Sequence, residues 1–365
     1  SLSLLVCRPL PSLPPPHHNN HIMSLTTTTA PPQQWRSNVL PPCSSEATVL
    51  PPSRLGGIWH LITFKGMLSS YVVGSTAVGF YMAPGSGDWK KLAVCCGGTA
   101  LTVLSANAFN QIYESESDAK MYRTSRRYLP SGGCMKTAIS FAVVTGLSGG
   151  YILWKYVNPL ASSLAVFNIA LYGAIYTPLK KMHWINTWIG SVVGAIPPMI
   201  GWAGKTNGLE LGSWVLGGLL FFWQMPHFHA IAWKNQDDYE RGGYKMLVNT
   251  DREAVPGVAF RYSLPLLALG PLSYFSGMTT KWFCLTSFFP SAYGVISAYP
   301  FYTKPSAETA RSLFFSSLLT LPAFCGLLVF HRTADPTVFE QAASLVQSYS
   351  GRVADALGVT RSFYG

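Results

Sequence analysis

The chain has 365 residues, of which 48% are hydrophobic and only 11% charged, and its mean hydropathy is positive at +0.23. So much apolar surface excludes a single soluble core and points to a polytopic membrane protein with the bilayer as its solvent. The net charge of +11 then has to be explained by where the bases fall along the chain.

Residues 1–56 read as a disordered N-terminal segment. Runs such as PSLPPPHHNN and SLTTTTAPPQQ carry Pro, Ser, Thr and Asn where a helix would need a periodic apolar face. Arg8, Arg36 and Arg54, with no acid before Glu46, give the segment the acid-poor, Ser-rich character of an organelle transit peptide. The opening SLSLLV is too short for a secretory apolar region. Because the first residue is not Met, the true start is expected at Met23 or upstream.

Residues 57–332 read as the membrane domain. A helix needs about 20 mostly apolar residues to cross the hydrocarbon, since no backbone group can go unpaired there and each residue advances ~1.5 Å. Suitable stretches run at about 59–82, 92–111, 136–154, 159–177, 185–202, 211–231, 257–278, 281–301 and 311–330. They predict an all-α polytopic bundle of about nine transmembrane helices, followed by a C-terminal tail over 333–365. Gly190 and Gly194, at G-x-x-x-G spacing, are expected to let two helices approach closely, and Pro197 and Pro198 to kink or break the same span. The seven cysteines are odd in number and lack C-x-x-C spacing, so neither a disulfide frame nor a zinc site follows.

Counting bases in the connections separates the two membrane faces. One face takes the N-terminal tail and the loops with Lys120, Arg123, Arg126, Arg127 and Lys136, then Lys180 and Lys181, then Lys234, Arg241, Lys245 and Arg252. The positive-inside rule puts that face on the cytoplasm-equivalent side, which in a mitochondrion is the matrix. Topology alone would account for these bases but not for the acids among them.

Residues 110–127, NQIYESESDAKMYRTSRR, hold three of those acids. Asn110, Glu114 and Asp118 recur every four residues, so successive members are displaced by only ~40° and all three line one helix face over ~12 Å. Carboxylate and amide oxygens on one stripe suit Mg²⁺, which completes its octahedron with water and substrate phosphates. Arg123, Arg126 and Arg127 follow, and guanidinium forks match phosphate oxygens. The same stripe also fits a solvated helix end with i, i+4 pairs such as Glu116 with Lys120, each stabilising by about 0.2–0.5 kcal/mol.

Two further polar clusters close later spans on the same face. YTPLKKMHW, residues 176–184, places Tyr176 and Lys180 at i, i+4. WQMPHFHAIAWKNQDDYERGGYKM, residues 223–246, offers Gln224, His227, His229, Lys234, Asp237, Asp238 and Arg241. Acids, bases and histidines gathered above an apolar bundle suggest a metal-bound anionic head at the rim, with a greasy tail descending between helices.

These stretches, with GAIPPMIGW and the pattern of spans, make the chain similar to the heme O synthase branch of the UbiA prenyltransferase superfamily, in its mitochondrial form, from about Leu61 to Phe330. The resemblance implies a UbiA-like fold in the mitochondrial inner membrane, with the N-terminus and active face toward the matrix. It also implies transfer of farnesyl from farnesyl diphosphate to a vinyl group of heme b with addition of water, giving heme O. Carried over by position, Asn110, Glu114 and Asp118 would be the Mg²⁺-diphosphate motif, and Asp237 and Asp238 the second acidic motif and further metal ligands. Arg123, Arg127, Tyr176 and Lys180 would contact the diphosphate, with Lys234 and Arg241 also on the substrate side. His227 would be catalytic together with Asp238 and the first motif, and His227 or His229 could ligate iron, position propionates or act as base.

Glu114 departs from the aspartate common in the superfamily, and His227 from a carboxylate usual in enzymes with phenolic acceptors. The resemblance further implies membrane lipid as surroundings, a downstream hydroxylase making heme A, and assembly factors of a terminal oxidase as partners; no nucleic acid is expected. The competing readings are a UbiA-type enzyme acting on a quinone precursor or chlorin, and a polytopic transporter. The transporter would line a path through the bilayer with polar groups, whereas these acids avoid the span centres.

Overall fold

The computed structural model describes residue 61 and residues 66–333. The segment 1–56, His60 and nearly all of the tail 333–365 lie outside the described residues. The described residues all belong to the second of two compact units, Pro51–Gly365. Among the described residues the regular elements are helical, apart from one isolated bridge between Thr279 and Arg332.

In chain order the helices are α1 (Gly66–Met82), α2 (Trp89–Lys120), α3 (Met135–Tyr156), α4 (Pro159–Ala170), a π-helical segment (Leu171–Tyr176), α5 (Thr177–Met182), α6 (Asn186–Thr206) and α7 (Leu211–Lys234). Short helices α8 (Gln236–Arg241) and α9 (Leu247–Thr250) follow, then α10 (Ala254–Ser263), a 3₁₀ turn (Leu264–Ala268), α11 (Leu269–Phe275), α12 (Trp282–Thr303) and α13 (Ala307–Phe330). Within the described residues each expected span falls on a helical run. Among the described residues, five runs are long and apolar enough to cross a membrane by length and composition: α2, α3, α4 through α5, α10 through α11, and α13. The described part of α1 is 17 residues long, while α6, α7 and α12 are diluted by Gly, Pro, Trp and Tyr. Large apolar side chains nevertheless face outward, as Leu147, Phe289 and Leu319 show at 71%, 66% and 64% exposure. An apolar exterior of that kind suits lipid and not water.

Local chemistry sets the ends that matter for the site. Asp88 caps α2 by accepting the Lys91 N–H at 2.9 Å, and the helix continues through the Glu, Ala and Lys of residues 114–120. The acidic stripe therefore lies on the same continuous helix as the span before it, and that helix ends nine residues beyond the expected end of the span. Asn158 caps α4 through the Ala161 N–H at 2.8 Å, and its amide donates to the Ala203 carbonyl at 2.7 Å, tying α4 to α6. The π segment precedes Pro178, which has no N–H to give and whose ring would crowd the Ala174 carbonyl in a regular α-turn.

Packing differs from the G-x-x-x-G expectation. A Cβ on Gly190 would meet the Tyr176 ring, and one on Gly194 would overlap the Gln224 amide, so these glycines make room for side chains. The close approach of backbones lies elsewhere: a Cβ on Gly79 would sit on the Pro198 carbonyl, and one on Gly201 on the Thr76 carbonyl, where α1 meets α6. The helix α6 runs through Pro197 and Pro198 without breaking.

Gly201→Ala is expected to cost about 1–3 kcal/mol by overpacking and to lower the melting temperature of detergent-solubilised protein. Gly74→Ala on α1, where a Cβ meets nothing within 4 Å, should leave it in place. Equal melting temperatures for the two variants would refute this account of the α1–α6 contact.

Candidate active site

The stripe on α2 is buried, with Asn110, Glu114 and Asp118 at 0%, 3% and 0% exposure. Glu114 Oε1 accepts from Lys180 Nζ at 2.8 Å. Asp118 Oδ2 accepts from Arg127 Nη1 at 2.6 Å, and the same nitrogen is 3.9 Å from Glu114 Oε2. Asn110 Nδ2 donates to Thr177 Oγ1 at 3.2 Å, whose hydroxyl donates to the Tyr172 carbonyl at 2.7 Å. The π segment is thus fastened to the stripe, and it delivers Tyr172, Tyr176 and Lys180 to one place. Lys180 Nζ lies 4.5 Å from the centre of the Tyr176 ring and 5.8 Å from that of Tyr244. Two carboxylates and two bases form a charge-balanced group at the head of an apolar bundle.

Some buried oxygens in this group are unused. Asp118 Oδ1 has no hydrogen-bond partner, and neither amide atom of Gln111 has one. Gln111 lies seven residues before Asp118, about 20° away around the helix, so it belongs to the same stripe. The motif reading missed Gln111, although its spacing from Glu114 and Asp118 was a usable signal. Unpaired buried polar groups of this kind cost about 1–3 kcal/mol each. Hard oxygen donors beside two carboxylates fit a magnesium ion that also takes oxygens from a bound diphosphate. Among the described residues no three His, Cys, Asp or Glu side chains gather closely enough to hold a metal by themselves.

The second acidic motif is built differently. Asp238, on α8, accepts the backbone N–H of Tyr122 at 3.1 Å and of Arg123 at 3.5 Å, and takes Arg241 Nη2 at 2.7 Å. It therefore clasps the turn that follows α2, the turn carrying Arg123 and Arg127. Burial would raise its pKa, but the Arg241 guanidinium and the two amides outweigh burial and hold the carboxyl below its ordinary value. Arg123 Nη2 is 3.5 Å from Tyr239 OH, and Arg241 lies over the Tyr122 ring at 4.3 Å. Asp237, Lys234 and Arg126 are exposed.

His227 is held by contacts that sequence spacing could not reveal. Its Nδ1 is 2.8 Å from Ser317 Oγ, and that hydroxyl donates its own hydrogen to the Phe314 carbonyl at 2.6 Å. A serine whose hydrogen is on that carbonyl accepts from Nδ1–H, the tautomer in which Nε2 keeps its lone pair. Trp223 stacks on one side at 4.8 Å and Phe314 lies on another at 5.1 Å. His229 Nδ1 donates to the Met225 carbonyl at 2.7 Å, which leaves its buried Nε2 unpartnered.

Below Lys180 lies a chamber of about 250 Å³ lined from α1, α2, α4, the π segment, α6 and α7. Tyr172, Tyr176, Gln224 and Phe228 wall its upper part, and Thr99, Ala165 and Ile200 its far end. A cavity of about 680 Å³, with Trp184, Trp188, Phe222, Arg261 and Tyr262 in its wall, lies on the other side of α7.

Residues 72–319 match the UbiA prenyltransferase family. The mitochondrial protoheme IX farnesyltransferase of Arabidopsis thaliana is 40% identical over 302 residues, a match covering 81% of this chain and 70% of that one. The human protein of the same name is 41% identical over 266 residues, covering 73% of this chain and 60% of its own length. The protoheme IX farnesyltransferase of Solibacter usitatus is 32% identical over 281 residues, 73% of this chain and 96% of that one. Among solved structures, a digeranylgeranylglyceryl phosphate synthase superposes with a TM-score of 0.66 at 15% identity, covering 79% of this chain and 99% of that one. A UbiA homolog from Archaeoglobus fulgidus bound to DMAPP and Mg²⁺ gives 0.54 at 13% identity, covering 74% and 99%. These structural likenesses establish the fold.

Asp238→Asn is expected to loosen the turn after α2, seen as faster tryptic cleavage at Arg123 and Arg126 in metal-free buffer. Because the folded carboxyl titrates below the unfolded value of about 3.9, its stabilisation is present above that value and disappears as pH falls through the lower, folded one. The difference in melting temperature between wild type and Asp238→Asn should accordingly shrink on acidification through that window. A difference that grows with acid would contradict the assigned contacts.

Proposed function

Because the chain belongs to the UbiA prenyltransferase family, we propose that it transfers the farnesyl group of farnesyl diphosphate to a vinyl group of heme b, with addition of water, to give heme O. The observation that carries the reading is the buried network of Lys180, Glu114, Arg127 and Asp118 at the head of an apolar chamber. Relatives near 40% identity that bear the name protoheme IX farnesyltransferase support the choice of donor and acceptor.

In this reading the diphosphate sits at Lys180 and Arg127, with Arg123 on the turn that Asp238 clasps. The farnesyl tail descends past Tyr172 and Tyr176. As the bond between C1 and the diphosphate oxygen breaks, negative charge grows on the leaving group, and cations already fixed in place lower the barrier more than they stabilise the ground state. Mg²⁺, held by Asn110, Glu114 and Asp118, supplies Lewis-acid stabilisation to the same oxygens when bound.

The vinyl carbon of heme b forms the new bond to C1 and leaves a cation on the porphyrin side chain. Water captures that cation and loses a proton to the Nε2 lone pair of His227, which Ser317 keeps in the required tautomer. The chamber is smaller than the ~300–1,000 Å³ usual for ligand pockets, so it suits one slim tail, and the porphyrin meets C1 at the mouth. Asp237 completes the second acidic motif beside Asp238, and Lys234 and Arg241 supply positive charge on the acceptor side.

The enzyme is a mitochondrial membrane protein. In this reading it sits in the inner membrane with its catalytic end toward the matrix, an orientation that the distribution of Lys and Arg supports. The product would pass to a hydroxylase making heme A for a terminal oxidase.

Purified protein given farnesyl diphosphate, Mg²⁺ and heme b should produce hydroxyethylfarnesyl heme, detected by mass spectrometry. Unchanged heme alongside a prenylated hydroxybenzoate would overturn the choice of acceptor. Asp118→Ala should lower turnover by about 10²–10³-fold, as expected for loss of one preorganised electrostatic contact, and should lower the melting temperature because Arg127 loses its nearest carboxylate, while circular dichroism shows the helical fold retained. Full activity in that variant would refute the metal assignment.

A further inference from the structure

We propose that Tyr244 is a positioning residue for Glu114: its phenol gives the hydrogen bond that Glu114 loses when a bound diphosphate draws Lys180 away, and so holds the carboxylate for the metal. The inference rests on the reading of the buried charged group as the Mg²⁺ and diphosphate site.

Tyr244 falls in the loop that joins α8 to α9. It is 4% exposed, and its hydroxyl is enclosed by protein with no hydrogen-bond partner. The charges that act on it are, in order, those of Glu114, Lys180 and Asp118, and Ser117 approaches it outside hydrogen-bond geometry. Lys180 Nζ lies 5.8 Å from the centre of the Tyr244 ring while donating to Glu114 Oε1 at 2.8 Å. The phenol therefore borders the ion pair that a diphosphate would have to open.

A buried phenol normally finds a partner, because a hydrogen bond left unmade is costly. Phenylalanine would fill the same space without that cost. The ring is also fixed in place. Gly243, at φ 72°, turns the chain through the left-handed region. Tyr244 N–H then donates to the Tyr239 carbonyl at 2.9 Å, and Lys245 N–H to the Lys180 carbonyl at 2.7 Å. The loop is thus tied to the helix that carries Lys180, and the phenol stays beside the site.

The empty site has no use for this hydroxyl, since Lys180 already neutralises Glu114. With diphosphate bound, the ammonium turns its hydrogens to phosphate oxygens and one Glu114 oxygen goes to the metal. The other oxygen is then short of a donor, and carboxylates that ligate metals are held in place by such outer hydrogen bonds. A phenol suits the task because it is protonated near neutrality and adds no charge to a group already balanced.

The test follows binding of a non-hydrolysable farnesyl thiolodiphosphate to full-length protein in detergent as Mg²⁺ is titrated, with the melting temperature of the empty protein read beside it. Tyr244→Phe keeps the ring and removes one oxygen. It should raise the Mg²⁺ concentration at half-saturation by about 10–100-fold, the usual effect of losing a group that orients a metal ligand. The empty variant should melt at or above the wild-type temperature, because the lost hydroxyl had no bond to lose. A packing role predicts the reverse, a lower melting temperature with an unchanged Mg²⁺ requirement, and that result overturns the proposal. If wild type binds the donor analogue equally well without Mg²⁺, the metal reading falls and this inference with it. A Mg²⁺-dependent wild type with an indistinguishable Tyr244→Phe sinks the inference alone.

Discussion

Two carboxylates and two bases buried together at the end of an apolar bundle are the constraint on which the rest of this structure depends. A single unpaired charge there would cost several kcal/mol in lost hydration. Glu114 with Lys180 and Asp118 with Arg127 avoid that by pairing across separate elements. The pairs oblige α2, α5 and the turn after α2 to meet at one point, and they leave oxygen lone pairs and positive charge facing the same small volume. Electrostatic balance therefore both holds the helices in register and prepares the place where a diphosphate would bind.

Part of this was legible from residue spacing. The stripe Asn110, Glu114, Asp118 and the pair Tyr176, Lys180 could be read because i, i+4 positions share a helix face whatever the tertiary structure does. Gln111 shares that face at i, i+3 from Glu114 and i, i+7 from Asp118, a spacing outside the strict fourfold repeat that picks out Asn110, Glu114 and Asp118. Ser317 was not legible: it meets His227 across ninety residues, and nothing in local spacing predicts which serine of α13 will face which histidine of α7. The glycines gave a half-correct signal. A G-x-x-x-G pattern marks missing volume, but only packing decides whether a backbone fills it, as at Gly79 and Gly201, or a side chain does, as at Gly190 and Gly194.

The two acidic motifs look alike in sequence and differ in use. Glu114 and Asp118 point their oxygens at cationic side chains, whereas Asp238 spends two of its contacts on backbone amides of the turn after α2. A carboxylate that accepts main-chain N–H groups shapes a loop, and here the loop is the one that carries Arg123 and Arg127. Chemistry at the first motif consequently depends on architecture supplied by the second, from a part of the chain more than a hundred residues away.

The π-helical turn at residues 171–176 has a consequence for angular phase. A π turn accommodates one residue more than the α-helical turn it replaces, so everything after it is rotated by roughly 100° relative to an uninterrupted helix. The wall contributed by α4 and the ammonium contributed by α5 are thus set to the same side by a dislocation in the helix, not by its regular repeat. Deleting one residue in that turn would leave composition, hydrophobicity and length almost untouched, yet it would swing the cation away from its carboxylate. Vigilance over insertions and deletions at this one turn is therefore worth more, in comparing related chains, than agreement in residue type across the whole of the surrounding helix.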